Sequence, residues 1–224
     1  MLYHEIVSPV DPKKPSKTII TLDHFEEQMR FLKENGYQTL SIDELKEVLQ
    51  GRKQAPSKAV VITLDDGFTN ALQAVPIFER YGFKASFWII TGRVTGGAYM
   101  DWGQIEALDR HPLFEIGSHS VSHPRLTLWI ADKAEGRGES AVLTELRESK
   151  RVLEEHLGRP VRSFAWPYGA YNKRLIRLAR GSGYEVLFTT KPGLNYPGQD
   201  VLRIHRTVVD GASDLETFKA RLHE

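Results

Sequence analysis

The sequence predicts an α/β chain built on a mostly parallel sheet, closed or nearly closed into a β/α barrel of seven or eight strands. Three observations carry that expectation. Short apolar, β-branched runs alternate with helical periodicities from end to end, the pattern of βα units rather than hairpins. The run at 60–64 is apolar or β-branched throughout and that at 85–90 is apolar but for Ser86, neither with the alternation of a half-exposed strand, as strands buried on both faces are. A chain of 224 residues suits one large domain, 1–224, better than two separate cores.

Residues 2–7 read as the first strand, and 8–17, with three prolines, as a loop. A helix is expected over 23–35: Asp23 and Glu26 have capping-box spacing, Phe25, Met29 and Leu32 form its apolar stripe, and Gly36 ends it. A short strand follows at 38–40. Ser41 and Glu44 then open a second helix, which closes at Gly51. The buried strand 60–64 leads into a helix over 68–81 that stops at Gly82. Further strands are expected at 85–90, 114–116, 161–166, 185–189 and 201–209. Helices are expected at 101–110, 139–157, 173–180 and 215–222. The charged face of the 139–157 helix (Glu145, Arg147, Glu148, Lys150, Arg151, Glu154, Glu155) reads as solvated. Residues 127–140 break the alternation. They read as a solvated surface loop, with a substrate-contacting loop carrying Trp129 as the second reading.

Composition narrows the function. A net charge of +1 gives no general attraction to nucleic acid or to an anionic membrane. The absence of cysteine excludes disulfides, thiolate nucleophiles and Cys-zinc sites. No apolar run reaches the ~18 residues of a membrane span. Leu2, Tyr3 and His4 read like the middle of a strand, which leads us to expect an export or anchor segment removed ahead of Met1. The expected location is therefore extracellular or in the cell envelope, with the cytoplasm as the alternative. The expected state is a monomer.

Three segments carry residues suited to chemistry. The strand 60–64 ends in Asp65, Asp66 and Gly67. Two adjacent carboxylates are poor core residues, because a buried unpaired charge is costly, so they need a cation or a task. Asp-Gly is also a hairpin-turn signal. Here a helix rather than a second strand follows, and ligands of βα folds gather at the carboxyl ends of strands. His119 and His123 follow the next-but-one strand and belong on the same rim. Four residues apart, they can face one way, and two imidazoles with one carboxylate make an open metal site. The third segment is Ala165-Trp166-Pro167-Tyr168-Gly169. Pro167 restricts the residue before it and Gly169 permits a tight turn, which can aim a backbone N–H into the site. Trp166 and Trp102, near strand ends, are candidate platforms for a pyranose ring, whereas Trp88 reads as core.

In this order, Thr63-Leu64-Asp65-Asp66-Gly67, His119-Ser-Val-Ser-His123 and Trp166-Pro167-Tyr168-Gly169 resemble the motifs of the polysaccharide deacetylases. These are the NodB-homology domain of carbohydrate esterase family 4. The N-terminal Tyr3-His4 and the flank Phe25…Leu32-Lys-Glu-Asn-Gly36-Tyr37 are most similar to its branch of exported poly-N-acetylglucosamine deacetylases. The resemblance covers nearly the whole chain. It implies an irregular (β/α) barrel that removes acetyl groups from N-acetylated sugars. Asp65 would be the general base, and Asp66, His119 and His123 the ligands of one divalent metal, usually zinc, with cobalt or nickel able to serve. The Tyr168 N–H would hold the oxyanion, and Trp166, Pro167 and Tyr168 would line the substrate site.

The chain also departs from that pattern. Ala165 stands where many members have an arginine that orients the catalytic Asp. The Asp-Trp pair expected after the third motif is absent, and the last motif reads Arg203-Ile204-His205 with Arg in place of Leu. Arg203 is therefore the expected partner of Asp65, and His205 or His4 the expected acid. Arg203 and His205 share one strand face, opposite Ile204. The glycan is open among poly-β-1,6-N-acetylglucosamine, chitin oligomers, peptidoglycan sugars and acetylated xylan. A glycan-binding relative without turnover is the reading from another class, and the intact Asp65, Asp66, His119 and His123 argue against it.

Overall fold

A computed structural model of the protein describes residues 1–8, 18–131, 137–209, 211 and 214–223. The loop expected at 8–17 lies almost wholly outside these residues, as does the middle of the one expected at 127–140.

Six parallel strands form the central sheet in the order β1 (Leu2–Tyr3), β6 (Thr63–Leu64), β7 (Ala85–Ile89), β8 (Phe114–Ser118), β9 (Ser163–Ala165) and β10 (Val186–Phe188). Two small parallel pairs flank it: β2 (Glu5–Val7) with β3 (Ile19–Thr21), and β4 (Gln38–Thr39) with β5 (Ala59–Val60). The run 60–64 thus serves two ladders, Val60 pairing with Thr39 and Leu64 with Tyr3 and Phe87.

The stretch expected as a last strand, 201–209, opens with a 3₁₀ turn, Val201–Arg203, and is extended only beyond it. Residues 204–209 bridge the open edges of the sheet. Ile204 N–H donates to Leu187 O (2.9 Å) and Arg206 N–H to Lys191 O (3.0 Å). On the other side Leu2 N–H donates to Thr207 O and Val209 N–H to Leu2 O (both 2.9 Å). Six laddered strands and this closing segment make the nearly closed, irregular barrel.

Alternation along the strands divides the core in two. Phe87, Ile89, Phe114, Ile116, Phe164 and Leu187 face outward, against α1 (Leu22–Glu34), α3 (Val75–Tyr81), α4 (Trp102–Arg110), α6 (Glu139–Leu157) and α7 (Lys173–Gly181). Trp88, Ala165, Val186, Phe188 and Ile204 face the lumen, where α2 (Ile42–Leu49) covers the amino-terminal end of the barrel with Ile42, Leu45 and Leu49. Gly117 makes room for Trp88: a Cβ there would lie 1.8 Å from the indole Cζ3. Glu115, beside it on β8, ties the plug to the wall by accepting Ile42 N–H (2.8 Å) and the Ser86 hydroxyl (3.2 Å).

Helix ends follow local chemistry. The Ser41–Glu44 capping box is present in both directions. For α1 the cap is Thr21, whose hydroxyl accepts from His24 N–H, rather than Asp23, which lies inside the first turn. Gly82 and Gly158 close α3 and α6 in left-handed geometry. The expected 68–81 helix begins as a 3₁₀ segment, Thr69–Ala74, before α3. Residues 127–140 are partly helical, α5 (Leu126–Ala131) preceding and α6 closing the stretch.

Candidate active site

The carboxyl end of the barrel gathers the three sequence segments. β6 delivers Asp65 and Asp66, β8 delivers His119 and the loop to His123, and β9 delivers the Pro167–Gly169 turn. Among the described residues four non-glycines have left-handed φ: Asp66 (75°), Ser120 (68°), His123 (60°) and Tyr168 (57°). All four belong to these segments. Such conformations cost about 1–3 kcal/mol each and concentrate where function requires them. Gly169 (φ 63°) lets the third segment pack against the next one, since a Cβ there would lie 1.9 Å from Thr190 Oγ1.

Asp66, His119 and His123 offer three ligand atoms within 4.8 Å of one another. Asp66 Oδ1 lies 3.4 Å from His119 Nε2 and 3.5 Å from His123 Nε2. That oxygen is buried and has no hydrogen-bond partner, and an orphaned carboxylate oxygen facing two imidazoles fits a bound cation. His119 Nδ1 lies 2.8 Å from Ala165 O. A carbonyl only accepts, so Nδ1 carries the proton and Nε2 is left free as a ligand. Burial raises the Asp66 carboxyl, but the adjacent His119 imidazole, with the charges of His4 and His123, outweighs it and holds it at about 2. Burial, helped by the charge of His119, lowers His123 to about 4, so its ring is neutral and able to ligate near pH 7.

Asp65 is 3% exposed and stands beside this group, with Oδ2 3.8 Å from His119 Nε2. Its partner is Arg206. Nη1 donates to Oδ1 (2.7 Å) and Nη2 to Oδ2 (2.8 Å), a bidentate clamp buried on both sides. Arg206 is itself fixed by Thr63 Oγ1 (3.1 Å) and Thr189 O (2.9 Å). This corrects the expectation for Arg203. Arg203 sits in the 3₁₀ turn, is 44% exposed and faces Asp200 at 3.6 Å. The extended segment starts at Ile204, which faces the lumen, and alternation puts Arg206 on that same face. The signal was Ile204 itself, the apolar residue that marks the inward side.

His205 lies on the other face. Its ring packs on Gly193, whose added Cβ would lie 2.8 Å from Nδ1, and its backbone is held by Asn195. It is therefore turned away from Asp65. His4, between β1 and β2, has a buried Nδ1 without a partner, and its charge acts on Asp66. Of the two histidines expected as acid, His4 is the one at the site.

The aromatic expectations divide. Tyr168 is 54% exposed at the mouth, its ring 4.6 Å from that of His123, with the Arg125 guanidinium 4.7 Å over it. Trp166 has no exposed surface and packs edge-on against Phe164, so it offers no face to a sugar; β9's alternation turns it outward beneath the helices. Pro167 is buried and shapes the turn. Trp102 stacks face to face on His156 of α6, with ring centroids 3.7 Å apart, so that face of its ring is already taken. Trp88 is core, as expected.

One residue read as solvated is not. Glu145 of α6 is 6% exposed and accepts hydrogen bonds from the loop between His119 and His123. It lies on the helix's buried stripe with Val142, Leu146, Ser149 and Leu153, a periodicity visible in the sequence.

Comparison with known proteins agrees with this geometry. Residues 52–187 match the family model described as "Polysaccharide deacetylase". A Bacillus subtilis (strain 168) protein, YxkH, provisionally named a polysaccharide deacetylase, is 28% identical over 221 residues, covering 98% of this chain and 74% of its own. The poly-beta-1,6-N-acetyl-D-glucosamine N-deacetylase of Escherichia coli (strain K12) is 26% identical over 237 residues; the match covers 88% of this chain but only 34% of that longer protein. The solved structure of IcaB from Ammonifex degensii superposes with a TM-score of 0.84 at 25% identity, covering 100% of this chain and 95% of that one. With more than half its length matched, with the Asp65–Asp66, His119–His123 and Trp166–Gly169 motifs on one rim and with the same barrel, the chain belongs to the polysaccharide deacetylase family.

Proposed function

We propose that the chain is a metal-dependent hydrolase that removes N-acetyl groups from an N-acetylglucosamine-containing polysaccharide or oligosaccharide, as in the poly-N-acetylglucosamine deacetylases it is similar to. One observation carries the reading: an orphaned, buried Asp66 oxygen between two imidazoles, next to a second carboxylate clamped by arginine. Asp66, His119 and His123 would hold the metal, and zinc suits two imidazoles and one carboxylate. The bound metal supplies Lewis-acid activation of water and of the acetamide carbonyl.

The protein's own groups do the rest. Asp65, its carboxylate fixed by Arg206, takes the proton of the attacking water. A positioned base of this kind is worth about 10²–10⁴-fold. Tyr168 N–H, presented by the left-handed turn, donates to the carbonyl oxygen as it gains charge. His4 gives a proton to the leaving sugar nitrogen. Water is thereby added across the amide, and acetate and a free amine result. The Tyr168 ring, held between His123 and Arg125, forms the exposed edge against which a pyranose can lie. Such glycans are envelope or extracellular materials, and the proposed place of action follows from that.

The test is acetate release from β-1,4- and β-1,6-linked N-acetylglucosamine oligomers, with and without added zinc. Zinc-dependent release is expected. Asp65→Asn should still bind zinc but lose about two to four decades of kcat. No release from any oligomer by the zinc-loaded chain would overturn the proposal, and near-normal turnover by Asp65→Asn would remove that residue from the mechanism.

A further inference from the structure

The two histidines of the site are held by different means. His119 is anchored by the sheet: its N–H donates to Ile89 O (2.8 Å) and its Nδ1–H to Ala165 O (2.8 Å). His123 is the fifth residue beyond the end of β8, in an irregular loop, and both Ser120 and His123 have left-handed φ. A loop with two such non-glycine residues relaxes unless something outside it fixes the path.

Glu145 is that outside contact. Its Oε2 accepts the N–H groups of Val121 (2.8 Å) and Ser122 (2.9 Å), and its Oε1 accepts the Ser122 hydroxyl (2.6 Å). These are the two residues between the strained positions. Ser120 Oγ then accepts His123 N–H at 3.0 Å and completes the turn. One helical turn further on, Ser149 bonds Ser118 at 2.9 Å, so α6 grips both the end of β8 and the loop that leaves it. The other acids of this face are differently engaged: Glu148 and Glu155 pair with Arg151, and Glu154 with Lys150.

We propose that Glu145 is a positioning residue for the metal centre: by fixing residues 121 and 122 it aims His123 at Asp66 and so sets metal affinity. The inference rests on the metal-dependent reading above. It assigns the effect to hydrogen-bond geometry, and glutamine can reproduce that geometry. The amide oxygen would accept both N–H groups, and its NH₂ would donate to the Ser122 hydroxyl.

The experiment measures zinc affinity of the full chain by competition with a chromophoric chelator, alongside the melting temperature of the metal-free protein. Glu145→Ala should weaken zinc binding by about 10–100-fold, the usual effect of losing a group that orients a ligand. Glu145→Gln should recover most of that loss. Wild-type affinity in Glu145→Ala, even with a lowered melting temperature, would reduce Glu145 to a structural residue and overturn the inference. Equal losses in the Ala and Gln variants would overturn it too, by assigning the effect to charge. If Glu145→Ala does not fold, Ser122→Ala decides: it removes one of the three bonds from the exposed side and should weaken zinc binding, and unchanged affinity would overturn the inference. A wild-type chain that binds no zinc would overturn the metal-site reading along with this one, whereas failure confined to the variants would leave that reading standing.

Discussion

Arg206 and Asp65 meet with 2% and 3% of their side chains exposed, and each of the three guanidinium nitrogens of Arg206 donates to a named acceptor. Removing one partner of such a pair leaves an uncompensated buried charge, which costs about 3–5 kcal/mol. Arg206→Ala should therefore lower stability by that amount and abolish turnover. Arg206→Lys keeps the charge but loses the fork, and should fold with impaired kcat. Arg203→Ala should change stability by no more than about 0.5 kcal/mol, as an exposed substitution does. Denaturant unfolding with acetate-release kinetics on the three variants checks this; the reverse ranking of Arg203 and Arg206 would refute the assignment. Asp65, Asp66, His119 and His123 were legible in the sequence because each lies within a residue or a short loop of the strand that delivers it. Arg206 was not, because its partner is 141 positions away and the inward face of residues 204–209 depends on contacts the segment makes with both sheet edges. Glu145 was obscured by six charged neighbours on the same helix, although it sits in step with the apolar stripe.

Between α2 and β8, Glu115 shows how an element junction can depend on pH. Burial raises its carboxyl above the ordinary range, and this outweighs the bonds from Ile42 N–H and Ser86 that favour the ionised form. A raised folded value means that the native state binds the proton more tightly than the unfolded chain does. The associated stability is thus present below the ordinary carboxyl range and is lost as pH rises through the folded value. Glu115→Gln keeps an acceptor for both bonds without the charge. It should be more stable than the wild type at pH 7, and the advantage should shrink as pH falls towards 4. Thermal melts of both proteins across that range provide the check, and a constant difference would refute it. At this scale helix existence was legible, since periodicity and caps are local: Glu139–Leu157 matches its expected bounds, and Asp101 caps α4. Strand extent was less so. The single apolar run 60–64 splits between two ladders because pairing depends on neighbours distant in sequence.

At the scale of the whole molecule, residues 204–209 bond to β10 on one side and to β1 on the other, and so join the latest and earliest strands. A barrel closed in this way has no internal seam at which to divide. We expect one cooperative unfolding transition, with calorimetric and van't Hoff enthalpies equal; two separable transitions would refute the single-domain reading. The barrel class was legible from βα alternation, whereas the closing segment was not, since it makes isolated bridges rather than a ladder. That segment also bears on the order in which the protein is made. Asp65 leaves the ribosome long before Arg206, and the polypeptide in between contains both histidines. Until the last stretch docks, Asp65, the base we propose, has neither its clamp nor its fixed orientation. On the proposed mechanism, a nascent or carboxyl-terminally truncated chain is thus a hydrolase without a set base, and hydrolytic competence becomes a report that synthesis and closure are complete.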